Sequence, residues 1–342
     1  MVAIPTDTPS PSKAVGMFEN AMRENRSIVI GMILLVVLSA IGALMVSGFL
    51  SMQNGRSILL LAAFLGLAAL GQTLVALLGG LDLSIPFVIG SANILLPKLM
   101  NNGLPPSLAI ALILLLGIAA GCANGLLSFR LQGQALIMSL GVGFAVQGAV
   151  EIYTSLNSAY GGTSFAPVPR WLTNLAAFNG KTVGLPIPPV VIIWLVLTLA
   201  LGWIMRNTWF GRGVYALGGS RTAAARLRIS ELRTWVAVHG ISGGMAALTG
   251  VLLLGFSGGG FVGVGDPYLF STVAAVVIGG TSLLGGSGGY GATVLGALVL
   301  TVLTSLLVGL GLGFAGQQAI IGLIIVPMVA VYARIPQIRN QI

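Results

Sequence analysis

The stretch Asn207–Thr234, NTWFGRGVYALGGSRTAAARLRISELRT, is polar and basic in a chain that is otherwise built of long apolar runs. With Arg206 at its edge it gathers Arg212, Arg221, Arg226, Arg228 and Arg233, six of the 16 basic residues, between two such runs. That density places a membrane-protein loop on the cytoplasmic side and gives every other apolar segment its direction. Within it, Ser220 precedes Arg-Thr-Ala-Ala-Ala-Arg-Leu, an N-cap followed by strong helix formers, which predicts a small helix from Arg221 to Leu227. Ala224 and Leu227 stand at i, i+3 spacing and can enter a partner's groove, with Arg221 and Arg228 at the rim. A short exposed helix held between spans is a docking surface.

The composition excludes a soluble domain. Of 342 residues 56% are hydrophobic and 7% charged, and a mean hydropathy of +1.02 leaves too little polar surface to cover an apolar core. The chain is read as a polytopic membrane protein. Its net charge of +9 is placed by topology, so no nucleic-acid partner is expected. The single cysteine, Cys122, excludes an internal disulfide and any multi-cysteine metal site. The lone histidine, His239, reads as a packed residue within a span. No catalytic residue, metal or cofactor is expected.

Apolar runs at 28–50, 57–78, 83–99, 106–127, 134–156, 189–205, 235–256, 268–284, 290–312 and 316–333 make ten candidate spans. Each is near the roughly 20 residues a helix needs to cross ~30 Å of hydrocarbon. No period-2 alternation marks a barrel, so the fold class is all-α, a membrane protein of about ten transmembrane helices. Residues 1–27 form a cytoplasmic N-terminal segment, 28–334 the transmembrane domain and 335–342 a cytoplasmic tail. Inside then lie Lys13, Arg23, Arg26, Arg130, the six arginines of the central loop (206–234), Arg334 and Arg339; outside lie Arg56, Lys98, Arg170 and Lys181. The first run is too long for a signal-peptide core and stays as a span. The segment 83–99, with Pro86, Asn93 and Pro97, is the one expected to be broken or re-entrant. The external loop 157–188 carries Trp171 and Phe178 and is long enough to meet an external partner.

Two apolar runs end alike: LVALLGGLDLS at 74–84 and AAVVIGGTSLLGG at 274–286. Single glycines serve close helix packing, but paired Gly-interrupted segments in two halves point to a translocation path lined by discontinuous helices. The candidate path residues are Gln72, Gly80, Asp82, Ser84, Asn93, Gly280, Thr281 and Ser282. In-membrane carboxylates are scarce, Glu151 with Asp82 and Asp266 at span edges, which disfavours an ion-driven carrier. The neutral polar inventory suits a hydroxyl-rich ligand, although helix-to-helix hydrogen bonding explains any one of these groups as well. No G-x-x-x-x-G-K-[ST] occurs, so the chain is not itself a P-loop ATPase. GSGGYG at 286–291 lacks the pore helix of a channel filter, and GVGFAVQG at 141–148 has no strand before it, as a dinucleotide site requires.

Three patches in order, GQTLVALLGGLDLS, FGRGVYALGGSRTAAARL and TVAAVVIGGTSLLGGSGGYGATVLGALV, resemble the ribose-type ABC importer permeases over Leu70 to Ala333. The resemblance implies an ABC importer permease fold of about ten helices in the bacterial inner membrane, both termini cytoplasmic. It also implies a dimer with a second permease copy or paralogue in the lipid bilayer, two ABC ATPase subunits and a periplasmic substrate-binding protein. On this resemblance Ser220, Arg221, Ala224, Arg226 and Leu227 belong to the coupling helix that docks on the ATPase, and the cargo is a sugar or sugar-like polyol. Where the family commonly reads A-A-R-L-S-G-I, this chain reads Ala224-Ala225-Arg226-Leu227-Arg228-Ile229, without the glycine that ends the helix. Where it often has E-L-D before I-A-A, this chain has Leu269-Phe270-Ser271. The related branched-chain amino acid permeases are the alternative; a stand-alone channel or secondary carrier is the reading from another class.

Overall fold

The computed structural model describes residues 26–131, 134–156, 162–182 and 184–334. Residues 1–25 of the predicted N-terminal segment 1–27, the tail 335–342 and the charges at Lys13, Arg23 and Arg339 lie outside them. The elements run α1 (Arg26–Met45), α2 (Met52–Leu77), α3 (Ile85–Asn101), α4 (Pro106–Arg130), α5 (Ala135–Ser155), β1 (Thr163–Ser164), α6 (Arg170–Ala176), α7 (Pro189–Asn207), α8 (Trp209–Gly219), α9 (Arg221–Arg226), α10 (Glu231–Ser257), β2 (Gly260–Phe261), a 3-10 turn (Val262–Gly265), α11 (Tyr268–Ile278), α12 (Tyr290–Gly309) and α13 (Phe314–Arg334). Each predicted apolar run is a helix, and the chain is an all-α membrane protein.

Among the described residues seven helices, α1, α2, α4, α5, α7, α10 and α12, are long and apolar enough to cross a membrane. Of the other three predicted spans, α3 has 17 residues and α11 has 11, while α13 runs for 21. The segment expected to break does not: α3 runs unbroken for 17 residues, with Pro86 in the first turn and Pro97 inside. Proline is tolerated in the first turn because those N–H groups have no intrahelical partner. What sets α3 apart is burial, since Ile85, Ile89, Asn93, Ile94 and Leu96 are closed off by the rest of the chain. It is an inner helix surrounded by α4, α5, α10 and the 3-10 turn.

The centre of the bundle is α2, α3 and α10. The most extensive pair is α4 with α10. There Gly117, Gly121 and Gly125, spaced by four, let the α4 backbone lie against His239–Gly243 and Ala247; a Cβ on Gly117 would stand 2.6 Å from the Gly243 carbonyl oxygen. Small residues at this spacing are how helices approach where no water drives them together. Hydroxyls close other seams: Trp194 Nε1 donates to Tyr290 Oη (2.8 Å), which donates to the Gly66 carbonyl (2.7 Å), joining α7, α12 and α2. The helices α1, α5 and α7 instead expose Leu44, Phe144, Ile152, Leu199 and Trp203 on the outside of the bundle.

At the end of the bundle opposite α9, β1 pairs antiparallel with β2, Thr163 with Phe261 and Ser164 with Gly260. This ties the long loop after α5 to the α10–α11 connection. Phe165, Trp171 and Phe261 are exposed there, while Phe178 packs against the core.

Candidate translocation and coupling site

The two glycine doublets end their helices by the same geometry. After α2, Gly79 N donates to Ala76 O (2.8 Å) and Gly80 N to Val75 O (3.1 Å); after α11, Gly280 N donates to Val277 O (2.8 Å) and Thr281 N to Val276 O (3.1 Å). Gly79 and Gly280 share φ = +81°, the left-handed position of a Schellman cap, which glycine takes without a Cβ penalty. This corrects the register expected from sequence by one: the counterpart of Gly280 is Gly79, and that of Gly80 is Thr281.

The segments that follow differ. Asp82 is buried with a full set of neutral donors: Ser84 N (3.0 Å), Ser84 Oγ and Asn124 Nδ2 (3.0 Å) on Oδ1, and Ser242 Oγ (2.7 Å) on Oδ2. Ser128 Oγ supports Asn124 Oδ1 (3.2 Å), and Leu83 N donates to Ser139 Oγ (3.1 Å). A buried carboxylate is tolerated when its lone pairs are filled in this way. Asp82 and Ser84 therefore fasten the start of α3 to α4 and α10. Asn93 is a second tether, donating to Gly250 O (3.1 Å) and accepting from Phe261 N (2.8 Å). Thr281 and Ser282 shape the second turn: Gly289 N donates to Thr281 Oγ1 (3.1 Å) and Leu284 N to Ser282 Oγ (3.1 Å). Gly80 faces Val75 and Trp235.

Gln72 stands apart from these. It is 0% exposed, and neither its amide nitrogen nor its amide oxygen has a protein partner. The predicted path residues thus divide into two tethers, one turn and one unpartnered carboxamide. Two cavities among the described residues, of about 380 and 220 Å³, are lined by other residues, the first between the α1–α2 connection, α2 and α12 around Asn54 and Ser305, the second between α3, α4, α5 and α10 around Ser91.

The arginine-rich loop holds two helices where one was expected. The predicted small helix is α9, with Ser220 Oγ accepting from Ala223 N (3.3 Å). Ahead of it, α8 folds back under the bundle, burying Gly211, Gly213, Val214 and Leu217 and leaving Trp209 exposed beneath Arg212. The Tyr215 hydroxyl donates to Gly288 O (2.9 Å); burial raises its pKa above the usual value, partly offset by the Arg206 charge, and keeps it a donor.

On α9 the expected outward pair is split. Ala224 is 0% exposed and belongs to the chain's own core, whereas Leu227 is 69% exposed. Ala224 is therefore an internal anchor, and the free face consists of Thr222, Ala223, Ala225, Arg226 and Leu227. Arg221 turns sideways, pairing with Glu231 (3.3 Å) and standing 6.0 Å over the Trp235 ring, which stacks on His239 at 5.3 Å. The helix closes with the bonds seen at the two glycine breaks, Arg228 N to Ala225 O (3.0 Å) and Ile229 N to Ala224 O (3.0 Å). Here Arg228 takes the left-handed position with φ = +57°, the one positive φ among described non-glycine residues. Sequence reading had no signal for Ser242, Gly218 or Trp235 as site residues. Ser242 meets Asp82, Gly218 meets Leu77 and Trp235 meets Gly80, all far away in the chain.

A multi-pass helical membrane protein with two Gly-broken helices above a capped, basic, exposed helix is built as a transport permease. Residues 54–331 match the family described as branched-chain amino acid transport system / permease component, and the chain belongs to that family. It is 33% identical to the probable ABC transporter permease protein YphD of Escherichia coli over 89% of this chain and 88% of that protein. It is 30% identical to the ribose import permease protein RbsC of Haemophilus influenzae over 80% and 83%. With the autoinducer 2 import system permease protein LsrC of Salmonella typhimurium it shares 33% over 82% and 78%. No solved structure matches.

Proposed function

We propose that the chain is the non-catalytic membrane subunit of an ABC importer for a sugar or sugar-like polyol, residues 28–334 forming the permease domain in a bacterial inner membrane. The α9 end faces the cytoplasm with both termini, and an ATPase subunit docks on the outer face of α9 through Leu227 and Arg226. A second permease copy or paralogue completes the unit, lipid covers the rest, and a periplasmic binding protein delivers cargo at the β1–β2 end, where Phe165 and Trp171 are exposed.

The observation that carries the cargo class is Gln72, a fully buried donor and acceptor with no protein partner. Leaving such a group unpaired costs about 1–3 kcal/mol, and a hydroxyl-bearing neutral solute satisfies both of its atoms. The family description names branched-chain amino acids. A zwitterion needs groups that meet both of its charges, and Asp82, the buried carboxylate nearest the first break, is already filled by four donors and so is not open to an ammonium group. The relatives named for ribose and autoinducer 2 point the same way. The test is ATP-dependent uptake into proteoliposomes holding the permease, its ATPase and its binding protein, across pentoses, hexoses, polyols and leucine, isoleucine and valine. Uptake of a sugar or polyol is expected; uptake confined to the amino acids would overturn the cargo reading.

A further inference from the structure

Helix α8 joins the exposed helix α9 to both glycine breaks, and it does so largely through backbone. Ser220 is at once the last cap of α8, its N–H bonded to Ala216 O (2.9 Å), and the first cap of α9. Ser220 alone lies between them, so the two helices have little slack. At the other face of α8, Gly218 sits where a Cβ would fall on the Leu77 carbonyl oxygen and stand 2.7 Å from Gly286 N. That same carbonyl, the last of α2, accepts from Gly286 N (2.9 Å) in the second break. A Cβ on Gly285 would be 2.8 Å from Gly218 O and 3.0 Å from Gly79 N, and Tyr215 adds its bond to Gly288 O. Three segments far apart in the chain, 77–79, 218–219 and 284–288, meet here with almost no side chain between them.

We propose that α8 is a lever and Gly218 its bearing: displacement of α9 shifts the ends of α2 and of the second break together, so Gly218 is a positioning residue for gating. Close-packed backbone transmits small displacements because it has no side chains to absorb them. This rests on the importer reading above, in which ATPase closure moves α9.

The test compares Gly218→Ala with Gly219→Ala in the full complex of permease, ATPase and ligand-loaded binding protein. A Cβ on Gly219 meets nothing within 4 Å, so that variant should transport normally. Gly218→Ala should still co-purify with the ATPase, whose docking face it does not touch, and retain basal ATP hydrolysis. It should lose stimulation by the loaded binding protein, with uptake down at least about fivefold, the range of a broken site-to-site coupling. Normal stimulation and uptake in Gly218→Ala would overturn the lever. Should that variant fail to assemble, amide exchange decides on the unsubstituted complex. The Gly286 amide, bonded to Leu77, should change its protection between nucleotide-free and nucleotide-trapped states, and unchanged protection overturns the proposal. If the unsubstituted complex shows no ATP-dependent uptake at all, the importer reading itself fails.

Discussion

The two glycine breaks share one hydrogen-bond pattern and one backbone angle, yet the segment after one is pinned by a buried charge and the segment after the other is not. After α2 the chain passes Gly79 and Gly80 into a carboxylate held by donors from α3, α4 and α10. After α11 it passes Gly280 into residues 281–289, where Thr281 and Ser282 bond mostly to their own turn and no charge is present. A buried charge is expensive to move because displacement strips donors it cannot replace from lipid or protein. A neutral turn of backbone is cheap to move. The same local ending therefore leads into a fixed post, Asp82 at the start of α3, in one half of the molecule, and into a neutral turn that can move with the end of α2 in the other.

The largest effect should come from attacking the post. Asp82→Leu leaves Ser84 N, Asn124 and Ser242 without their acceptor inside the bundle. At about 1–3 kcal/mol for each unsatisfied donor, the loss should exceed roughly 3 kcal/mol and appear as a lower unfolding midpoint in detergent and poor membrane yield. Thr281→Val at the other break removes only the bonds to Gly289 and should cost about 1 kcal/mol. Equal destabilisation by the two substitutions would erase the distinction between them.

Gln72 sharpens the comparison from within α2, in the helix that ends at the first break. Gln72→Met keeps the volume and removes an unpaired amide, so the protein should gain about 1–2 kcal/mol in stability. If the amide meets cargo, uptake should fall in the same variant, most visibly as a higher half-saturation concentration. A gain in stability with unchanged uptake would make Gln72 a bystander.

Much of this was legible from sequence and some was not, for physical reasons. Each apolar run became a helix because bilayer length and hydropathy leave little choice. Ser220 marked the start of α9 because capping is local. The register of the glycine doublets slipped by one because Gly79-Gly80 and Gly279-Gly280 look alike until the bonds from positions 79 and 280 are seen. Helix α8 was hidden by four glycines in eleven residues, which argue against a helix by propensity. Two of them are where the backbone approaches its neighbours closely, Gly211 against Met205 and Gly218 against Leu77 and Gly286. Ala224 was placed on the wrong face because a six-residue helix has too few positions to show a periodic stripe. Asp82 was found, but not its role, since Ser242 lies 160 positions away.

The smallest effect concerns a third copy of the same ending. Helix α9 closes with the bonds used at Gly79 and Gly280, but with Arg228 in the left-handed position. A non-glycine residue there carries about 1–2 kcal/mol of strain, and Arg228→Gly removes it. Glycine also gains freedom in the unfolded chain, which offsets about 0.4–1 kcal/mol. The net is a stabilisation of roughly 0.5 kcal/mol, read as slower amide exchange at Ile229, whose N–H bonds to Ala224 O. Uptake should stay at the level of the parent, because the outward contacts assigned to α9 are Leu227 and Arg226. The companion Arg228→Ala keeps the strain and loses the charge, so it should leave exchange at Ile229 unchanged and lower ATPase retention only mildly. If Arg228→Gly instead loosens the loop or releases the ATPase, the guanidinium rather than the backbone is what matters at this position, and the likeness to the two glycine breaks ends at hydrogen-bond geometry.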